Sequence, residues 1–240
     1  MSSLYDLNPI ASCLTCKSRP DHIFCNLQPI ALHAFQKITC STAYPKGAIL
    51  FVEGQISRGL YVLCQGRVKL STCTVDGRTL IVKLADPGDV LGLSATISGT
   101  PYELTAQTVE PCQVNFVGRE DFLCFLRENV GACFRVAEQL SDRYNKACQE
   151  VRSLGLSRSA GEKLAKLLLD WSSRNGEFLK REPSLKMTLT HEEIAQLIGT
   201  SRETVTRIFA DLKHRQILEA KGSTLSVRDK TALRAMAGAS

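Results

Sequence analysis

The stretch LTHEEIAQLIGTSRETVTR, residues 189–207, determines the fold of the C-terminal third of the chain. Thr190 supplies a hydroxyl of the kind that caps helix N-termini. The apolar positions that follow recur at helical spacing: Ile194, Ala195 and Ile198. Gly199 predicts the end of this helix, because glycine adopts the left-handed conformation of a C-cap without strain. The sequence therefore predicts a short helix over 191–198 with one buried face.

A second helix is predicted over residues 202–215, with Ser201 as its N-cap. Its buried face is expected to consist of Val205, Ile208, Phe209 and Leu212. That assignment leaves four polar residues on the outward face near the N-terminus: Arg202, Glu203, Thr206 and Arg207. Two short helices joined by a glycine turn are typical of a helix-turn-helix, whose second helix enters the major groove of DNA.

The polar residues of the second helix are suited to base contacts. Arginine can bind guanine O6 and N7 through two hydrogen bonds, and glutamate can accept a hydrogen bond from cytosine N4. Ser201 and Thr190, which cap the two helices, complete the predicted DNA-binding set. The alternative is a solvated charged face on an ordinary helical hairpin.

The residues after this motif predict a wing, and the charge of the chain is concentrated in the same region. Leu218 to Val227, interrupted at Gly222-Ser223, is expected to form two strands. Of the net charge of +6, five units lie from Leu156 onward, where 15 Lys and Arg stand against 10 Asp and Glu. A basic end domain favours a polyanionic partner, although a solvated basic surface explains the same count.

Residues 40–117 predict a compact β domain. Short β-rich runs alternate with glycines about every ten residues, which is typical of an antiparallel barrel or sandwich. Asp76-Gly77, between two such runs, predicts a hairpin turn.

A long helix is predicted after Gly118. Its apolar positions are spaced by three or four residues: Val136, Leu140, Tyr144, Ala147, Val151 and Leu154. A narrow apolar stripe between a β domain and a basic domain suggests dimerisation. Packing of the stripe on the chain's own barrel is the alternative.

Ten cysteines in a chain with no recognisable export signal are not expected to form a disulfide framework. Most are expected to be small buried hydrophobic residues: Cys40, Cys64, Cys73, Cys124, Cys133 and Cys148. Cys13, Cys16 and Cys25 differ, because they lie on an irregular N-terminal arm where thiolates can surround a metal centre.

Residues 189–207 resemble the helix-turn-helix signature of the CRP/FNR family of bacterial transcription regulators. The stretches YVLCQG (61–66) and PGDVLG (87–92) resemble the family's cyclic-nucleotide-binding-like β jelly roll. The resemblance implies an α+β fold: an arm (1–26), a sensor barrel (27–126), a dimerisation helix (127–155) and a winged helix-turn-helix domain (156–240). It also implies a homodimer on palindromic double-stranded DNA and contact with RNA polymerase. Arg202, Glu203 and Arg207 match the family's base-reading positions, and Thr206 matches a serine of the FNR branch.

The FNR branch holds an oxygen-labile 4Fe-4S cluster with three N-terminal cysteines and one barrel cysteine. By this resemblance Cys13, Cys16, Cys25 and Cys112 are the expected metal ligands, although the Cys16 to Cys25 spacing is longer than in the best-known members. A four-thiolate zinc site and unligated thiols are the alternatives.

The sensor barrel is not expected to bind a cyclic nucleotide. Asp89 stands near the family's ribose-binding glutamate, but residues 98–105 contain no arginine, and Glu103 is expected to repel a phosphate. A different small effector of the barrel stays open as an alternative.

The chain is not expected to be an enzyme. His191 begins a stretch similar to a metal-binding helix motif, but Ala195 replaces the required second histidine. No run approaches the roughly 20 apolar residues of a membrane span, so a cytoplasmic protein is expected.

Overall fold

The computed structural model describes residues 7, 10, 12, 13, 16, 24–156, 159–174, 184–186, 189–221 and 224–238. The predicted Gly222-Ser223 turn lies outside these residues, as does most of the arm. The chain divides into two compact units, Met1–Gln149 and Glu150–Ser240. The finer boundaries expected after residues 26, 126 and 155 stay predictions.

The first unit begins with helix α1 (Pro29–Lys37) and continues into a double-layered β structure. Its strands are β1 (Thr39–Tyr44), β2 (Ile49–Phe51), β3 (Gly59–Gln65), β4 (Val68–Cys73), β5 (Thr79–Ala85), β6 (Val90–Leu91), β7 (Thr105–Thr108) and β8 (Cys112–Gly118). A short helix, α2 (Leu93–Ser98), lies between β6 and β7. Two four-stranded sheets, ordered β1-β8-β3-β6 and β2-β7-β4-β5, are antiparallel throughout, which confirms the expected jelly roll.

The Asp76-Gly77 turn joins β4 to β5 as the sequence predicts. The two strands pair antiparallel up to Cys73 and Thr79, and Gly77 has a φ of 82°. Glycine is suited to this position because a side chain is strained at positive φ.

Two apolar clusters form the core of the first unit, one on each face of the β1-β8-β3-β6 sheet. The cluster between the two sheets contains Leu63, Val114 and Cys112. The cluster on the other face contains Leu60 and Val62 from β3 and the rings Phe24, Phe35, Phe122 and Phe125. Full burial of each such side chain contributes roughly 1.5–3 kcal/mol, so both faces of this sheet stabilise the fold.

Helices α3 (Arg119–Glu128) and α4 (Val130–Leu156) follow the barrel. The predicted stripe of α4 divides into two parts. Val136 is only 6% exposed, and it packs with Leu140 against the outer apolar cluster of its own barrel. Tyr144, Ala147 and Val151 are exposed, whereas the side chain of Leu154 lies outside the described residues.

The expectation that Val136 and Leu140 face a partner chain is therefore corrected. The outer face of the β1-β8-β3-β6 sheet carries Leu60 and Val62, which must be removed from water, and the first half of α4 helps to cover this face. The alternative, packing on the chain's own barrel, holds for this half of the helix.

The second unit consists of short helices and a small sheet. Its elements are α5 (Ala160–Arg174), β9 (Ser184–Lys186), α6 (His191–Ile198), α7 (Arg202–His214), β10 (Leu218–Lys221), β11 (Thr224–Val227) and α8 (Lys230–Met236). Strands β10 and β11 form the predicted wing, and β9 pairs antiparallel with β11 as a third strand that the sequence pattern did not indicate. Among the helices in the described part of the chain, none is long and apolar enough to cross a membrane.

Candidate nucleic-acid interface and cysteine-lined cavity

The predicted ends of α6 are confirmed. The Thr190 hydroxyl accepts a hydrogen bond from the backbone N–H of Glu193 at 3.2 Å, and the Thr190 N–H donates to the Glu193 carboxylate at 3.0 Å. This reciprocal capping box gives a hydrogen-bond acceptor to two backbone N–H groups, those of Glu193 and Thr190. Gly199 closes the helix with a φ of 64°. The hydroxyl of Thr190 is thus engaged in holding the start of α6.

Ser201 caps α7 in the same way, because its hydroxyl accepts from the N–H of Thr204 at 3.2 Å. Val205, Phe209 and Leu212 are buried, as expected, and Ile208 is half-buried. The core face of α7 therefore follows the predicted spacing.

The structure brings the predicted base-reading residues together on the exposed face of α7. Arg202, Glu203, Thr206 and Arg207 all lie in its first two turns and are exposed to solvent. Hydrogen bonds from its own backbone N–H and from Ser201, together with the nearby Arg202, lower the pKa of Glu203. Glu203 is consequently an ionised hydrogen-bond acceptor at neutral pH, with two arginines on the same surface.

His191 connects α6 to α7, a role that sequence reasoning missed. Its Nδ1 lies 2.9 Å from the Thr206 hydroxyl, and its ring stacks on Phe209 with centroids 4.9 Å apart. Burial lowers the pKa of His191, and Lys213 and Arg202 lower it further. A neutral imidazole therefore holds the hydroxyl of Thr206, which also donates to the Arg202 carbonyl at 2.9 Å.

A cavity of about 160 Å³ lies between the N-terminal arm and the barrel. Its walls include Cys13, Cys16 and Cys25 of the arm, together with Cys64 of β3 and Asn115 of β8. No charged side chain is among the described residues that line it. The structure thus brings the three predicted arm ligands into one cavity, and it adds a cysteine that had been assigned to the core.

The thiols of this cavity influence one another. Burial first, and then the neighbouring Cys13, Cys25 and Cys16, raise the pKa of Cys64 to about 12. The pKa of Cys13 is also raised, first by burial and then by Cys16, while the Asn115 amide opposes the shift by donating to its Sγ at 3.6 Å. Negative charge on these two sulfurs is therefore disfavoured in the cavity as it stands.

Cys112, the predicted fourth ligand, does not line this cavity. It is fully buried in the cluster between the two sheets, where its thiol shares one S–H between the carbonyls of Arg67, at 3.3 Å from Sγ, and Glu110, at 3.2 Å. Burial raises the pKa of this thiol to about 11. The environment of Cys112 is that of a neutral core residue.

Within the described ranges, no three Cys, His, Asp or Glu side chains converge closely enough to hold a single metal ion as they stand. Zinc requires its sulfur ligands at about 2.3 Å from one point. An iron-sulfur cluster is larger than one ion, so its four thiolates stand farther apart. The cavity that these thiols line has a volume of about 160 Å³.

A cation does stand near Glu103, contrary to the expectation from residues 98–105. It is Arg143 of α4, which donates to the Val90 carbonyl and interacts with Asp89 and Glu103. Asp89 also forms an ion pair with Lys83 at 2.6 Å. Arg143 and Lys83 both interact with the acidic groups beside them.

Each of the two units matches a known domain family. The profile of the cyclic nucleotide-binding domain matches residues 41–129, and that of the Crp-like helix-turn-helix domain matches residues 162–236. The chain belongs to the CRP/FNR family of transcription regulators. The match of the second profile covers α6 and α7 and therefore includes the exposed face described above.

The curated relatives of this regulator are DNA-binding transcription regulators rather than enzymes. The CRP-like cAMP-activated global transcriptional regulator of Mycobacterium tuberculosis is 28% identical over 213 residues, covering 88% of this chain and 94% of the relative. The nitrogen fixation regulation protein FixK of Bradyrhizobium diazoefficiens is 26% identical and covers 95% and 94%.

Solved structures show the same fold. FixK2 from Bradyrhizobium japonicum has a TM-score of 0.72 at 22% identity, over 83% of this chain and 97% of that one. The c-di-GMP responsive regulator CLP of Xanthomonas campestris has a TM-score of 0.72 at 20% identity, over 84% and 100%.

Proposed function

We propose that this regulator binds a palindromic operator as a homodimer and that a 4Fe-4S cluster on its arm controls binding. The observation that carries the DNA-binding part is the exposed set Arg202, Glu203, Thr206 and Arg207 at the capped N-terminus of α7. In a helix-turn-helix this end of the second helix contacts bases.

Each residue of this set has a chemical role in the proposal. Arg202 and Arg207 contact guanine, and the ionised Glu203 accepts from cytosine N4. Because the hydroxyl of Thr206 is held by His191, its methyl group is available for a thymine methyl. Ser201 and Thr190 act on DNA through the helix ends that their hydroxyls cap, where backbone N–H groups attract phosphate.

The homodimer is supported by an exposed face of α4. The face follows a heptad pattern in which positions three and four residues apart lie on one side: Val130, Phe134, Ala137, Ser141, Tyr144, Cys148 and Val151. Phe134 is 66% exposed, Tyr144 71% and Val151 69%, which is unusual for such large apolar side chains on one helix. A second copy of the same face covers them symmetrically and sets the two α7 helices on the two halves of a palindrome.

The 4Fe-4S cluster is proposed because thiols of the arm share one uncharged cavity with the barrel. When bound, the cluster would supply iron that dioxygen can oxidise, and iron-sulfur ligation needs four thiolates. Cys13, Cys16 and Cys25 would hold it from the arm.

We expect loss of the iron-sulfur cluster to affect α4 through the apolar cluster that lies between the arm and this helix. Phe24, the neighbour of Cys25, is 1% exposed and packs against Phe35 at 5.2 Å and Phe122 at 5.7 Å. The same apolar cluster includes Val136 of α4. Loss of the cluster is expected to release the arm, loosen Phe24 and weaken the support of the dimer helix.

Selection from random-sequence DNA tests the first part of the proposal. The anaerobically purified protein is incubated with the library, and bound sequences are recovered; a palindrome is expected to be enriched. If no palindrome is enriched, the protein does not bind DNA as the proposed dimer.

Anaerobic purification tests the second part. A brown protein with broad visible absorbance and about four irons per chain is expected, with lower DNA affinity after exposure to air. A colourless, iron-free protein whose DNA affinity is the same in air contradicts the cluster. RNA polymerase, a partner suggested by the family, is tested by transcription from a promoter that carries the selected palindrome.

A further inference from the structure

We infer that Cys64, and not Cys112, is the fourth thiolate of the arm site. The inference rests on the proposed cluster and assigns its barrel ligand. Cys64 lines the cavity together with Cys13, Cys16 and Cys25. Three of these residues come from the arm, so the barrel must supply the remaining ligand.

The alternation of side chains along β3 explains the position of Cys64. Successive residues of a strand point to opposite faces of the sheet. Leu60 and Val62 belong to the outer cluster, where Cys13 also packs, whereas Leu63 belongs to the cluster between the sheets. Cys64 follows Leu60 and Val62 at steps of two and therefore faces the arm.

The end of β3 also carries an irregularity that sets Cys64 apart from its neighbours. The pairing of β3 with β8 shifts between Leu63, opposite Val114, and Gln65, opposite Gln113, and leaves Cys64 without a paired residue. A bulge of this kind changes the direction of a side chain and is frequent beside functional sites. Here the irregularity places Cys64 at the wall of the cavity, where its thiol donates to the Val62 carbonyl at 3.7 Å.

The same alternation along β8 excludes Cys112. Asn115 lines the arm cavity, and the Gln113 side chain bonds to Ile10 of the arm, so the odd-numbered residues face the arm. Cys112 and Val114 face the opposite way, into the cluster between the sheets. Turning Cys112 to the arm requires a one-residue slip of β8, which pairs with β1 on one side and β3 on the other.

The surroundings of Cys112 also oppose such a movement. A Cβ atom added at Gly66 would lie 2.6 Å from the Cys112 Sγ and 2.3 Å from the Pro111 carbonyl oxygen. The thiol thus fills space that is available only because residue 66 is glycine. Two carbonyl acceptors hold it there.

Matched serine variants of the full-length chain, purified without oxygen, test the assignment. Cys64→Ser is expected to lose most of its iron and visible absorbance, because one thiolate is missing. Cys112→Ser is expected to retain wild-type iron, since the serine hydroxyl can donate its one proton to either of the same two carbonyls. Thermal unfolding of both iron-free variants checks that each folds.

A second measurement avoids substitution. Cysteine alkylation, quantified by mass spectrometry, is compared between iron-loaded and iron-free wild-type protein. Cys64 is expected to gain protection on loading, in parallel with Cys13, Cys16 and Cys25, whereas the buried Cys112 is expected to be protected in both states.

The outcomes separate the assignment from the proposed function. If the wild-type chain binds iron and Cys64→Ser retains it while Cys112→Ser loses it, the assignment of Cys64 is overturned and the cluster stands. Unchanged alkylation of Cys64 on iron loading also overturns it. If the wild-type chain takes up no iron at all, the proposed cluster and its Cys64 ligand are both wrong.

Discussion

The side chain of Gln113 holds the backbone of Ile10 at two points. Its Oε1 accepts from the Ile10 N–H at 2.7 Å, and its Nε2 donates to the Ile10 carbonyl at 2.9 Å. The same Nε2 lies 2.9 Å from the hydroxyl of Ser41. One buried amide therefore fixes the arm to the barrel beside the cysteine-lined cavity, as a neighbouring strand would.

Gln113→Ala is expected to release the arm. Because the variant leaves partly buried backbone groups of Ile10 without partners, the arm is expected to lose about 1–3 kcal/mol of docking free energy. Limited digestion with trypsin, which can cut after Lys17 but not between Arg19 and Pro20, measures arm release; cleavage after Lys17 should accelerate by about fivefold or more. The control is Gln107→Ala, which removes an exposed hydrogen bond from a side-chain amide to the Gly47 carbonyl. Equal acceleration of cleavage in both variants would show that Gln113 does not hold the arm.

The sequence predicted the helix-turn-helix well because its signals are local. Caps such as Thr190, the glycine turn and the spacing of Val205 and Phe209 all act within a few residues, and they are consistent with one another. The place of Cys64 beside the arm cavity could not be predicted in the same way. Cys64 has no local signal, since its proximity to the arm depends on the pairing of β3 with β8.

The structure also explains why only part of the predicted apolar stripe of α4 is exposed. Apolar spacing identifies a helix face but not what covers it. Val136 is covered by the barrel, whereas Tyr144, on the same predicted stripe, is exposed. Likewise, the contact of His191 with Thr206 spans 15 residues of sequence. Such contacts follow from tertiary packing, which periodicity does not encode.

Arg207→Ala is expected to change sequence preference rather than general DNA affinity. Loss of a guanine contact should cost about 1–3 kcal/mol and relax preference at one base pair in each half-site. Binding to the selected palindrome and to single-base variants of it provides the measurement. Arg234→Ala, which removes an exposed positive charge from α8, is the control, and uniform weakening on every sequence would refute base reading by Arg207.

The second unit is expected to become less stable as pH falls below the ordinary His pKa of about 6.5. The folded state lowers the pKa of His191, so the unfolded chain binds the proton first and is favoured as the solution becomes acidic. The stability is fully present above that pH and is lost towards the lower pKa of the folded state. Denaturant unfolding at pH 7.5 and 5.5, followed by fluorescence of Trp171 in α5, reports this change.

His191→Phe separates this effect from other acid-sensitive groups. The variant keeps an aromatic ring to stack on Phe209 but cannot take up a proton, so its unfolding is expected to depend less on pH than that of the wild type. His214→Gln, at the exposed end of α7, should keep the wild-type dependence. An identical pH dependence in the wild type and His191→Phe would show that His191 does not contribute.

Tyr144→Glu is expected to dissociate the proposed dimer. Tyr144 lies at the centre of the exposed heptad face, and a carboxylate buried there without a partner costs several kcal/mol. The dimer dissociation constant, measured by sedimentation equilibrium, should rise by about 100-fold or more. Asn145→Glu introduces the same charge on an exposed position beside this face, and it should leave the constant nearly unchanged.

Cys148 offers an independent test of the same interface. Identical residues on the seam of a parallel two-helix coil face each other across the symmetry axis, within reach of the Cα separation of about 4.4–6.8 Å that a disulfide needs. Mild oxidation of the wild type is therefore expected to give a covalent dimer on a non-reducing gel, and Cys148→Ser is expected to prevent it. If Cys148→Ser forms the same covalent dimer, the disulfide does not join two Cys148 residues. If Tyr144→Glu and Asn145→Glu weaken the dimer equally, α4 does not pair through this face.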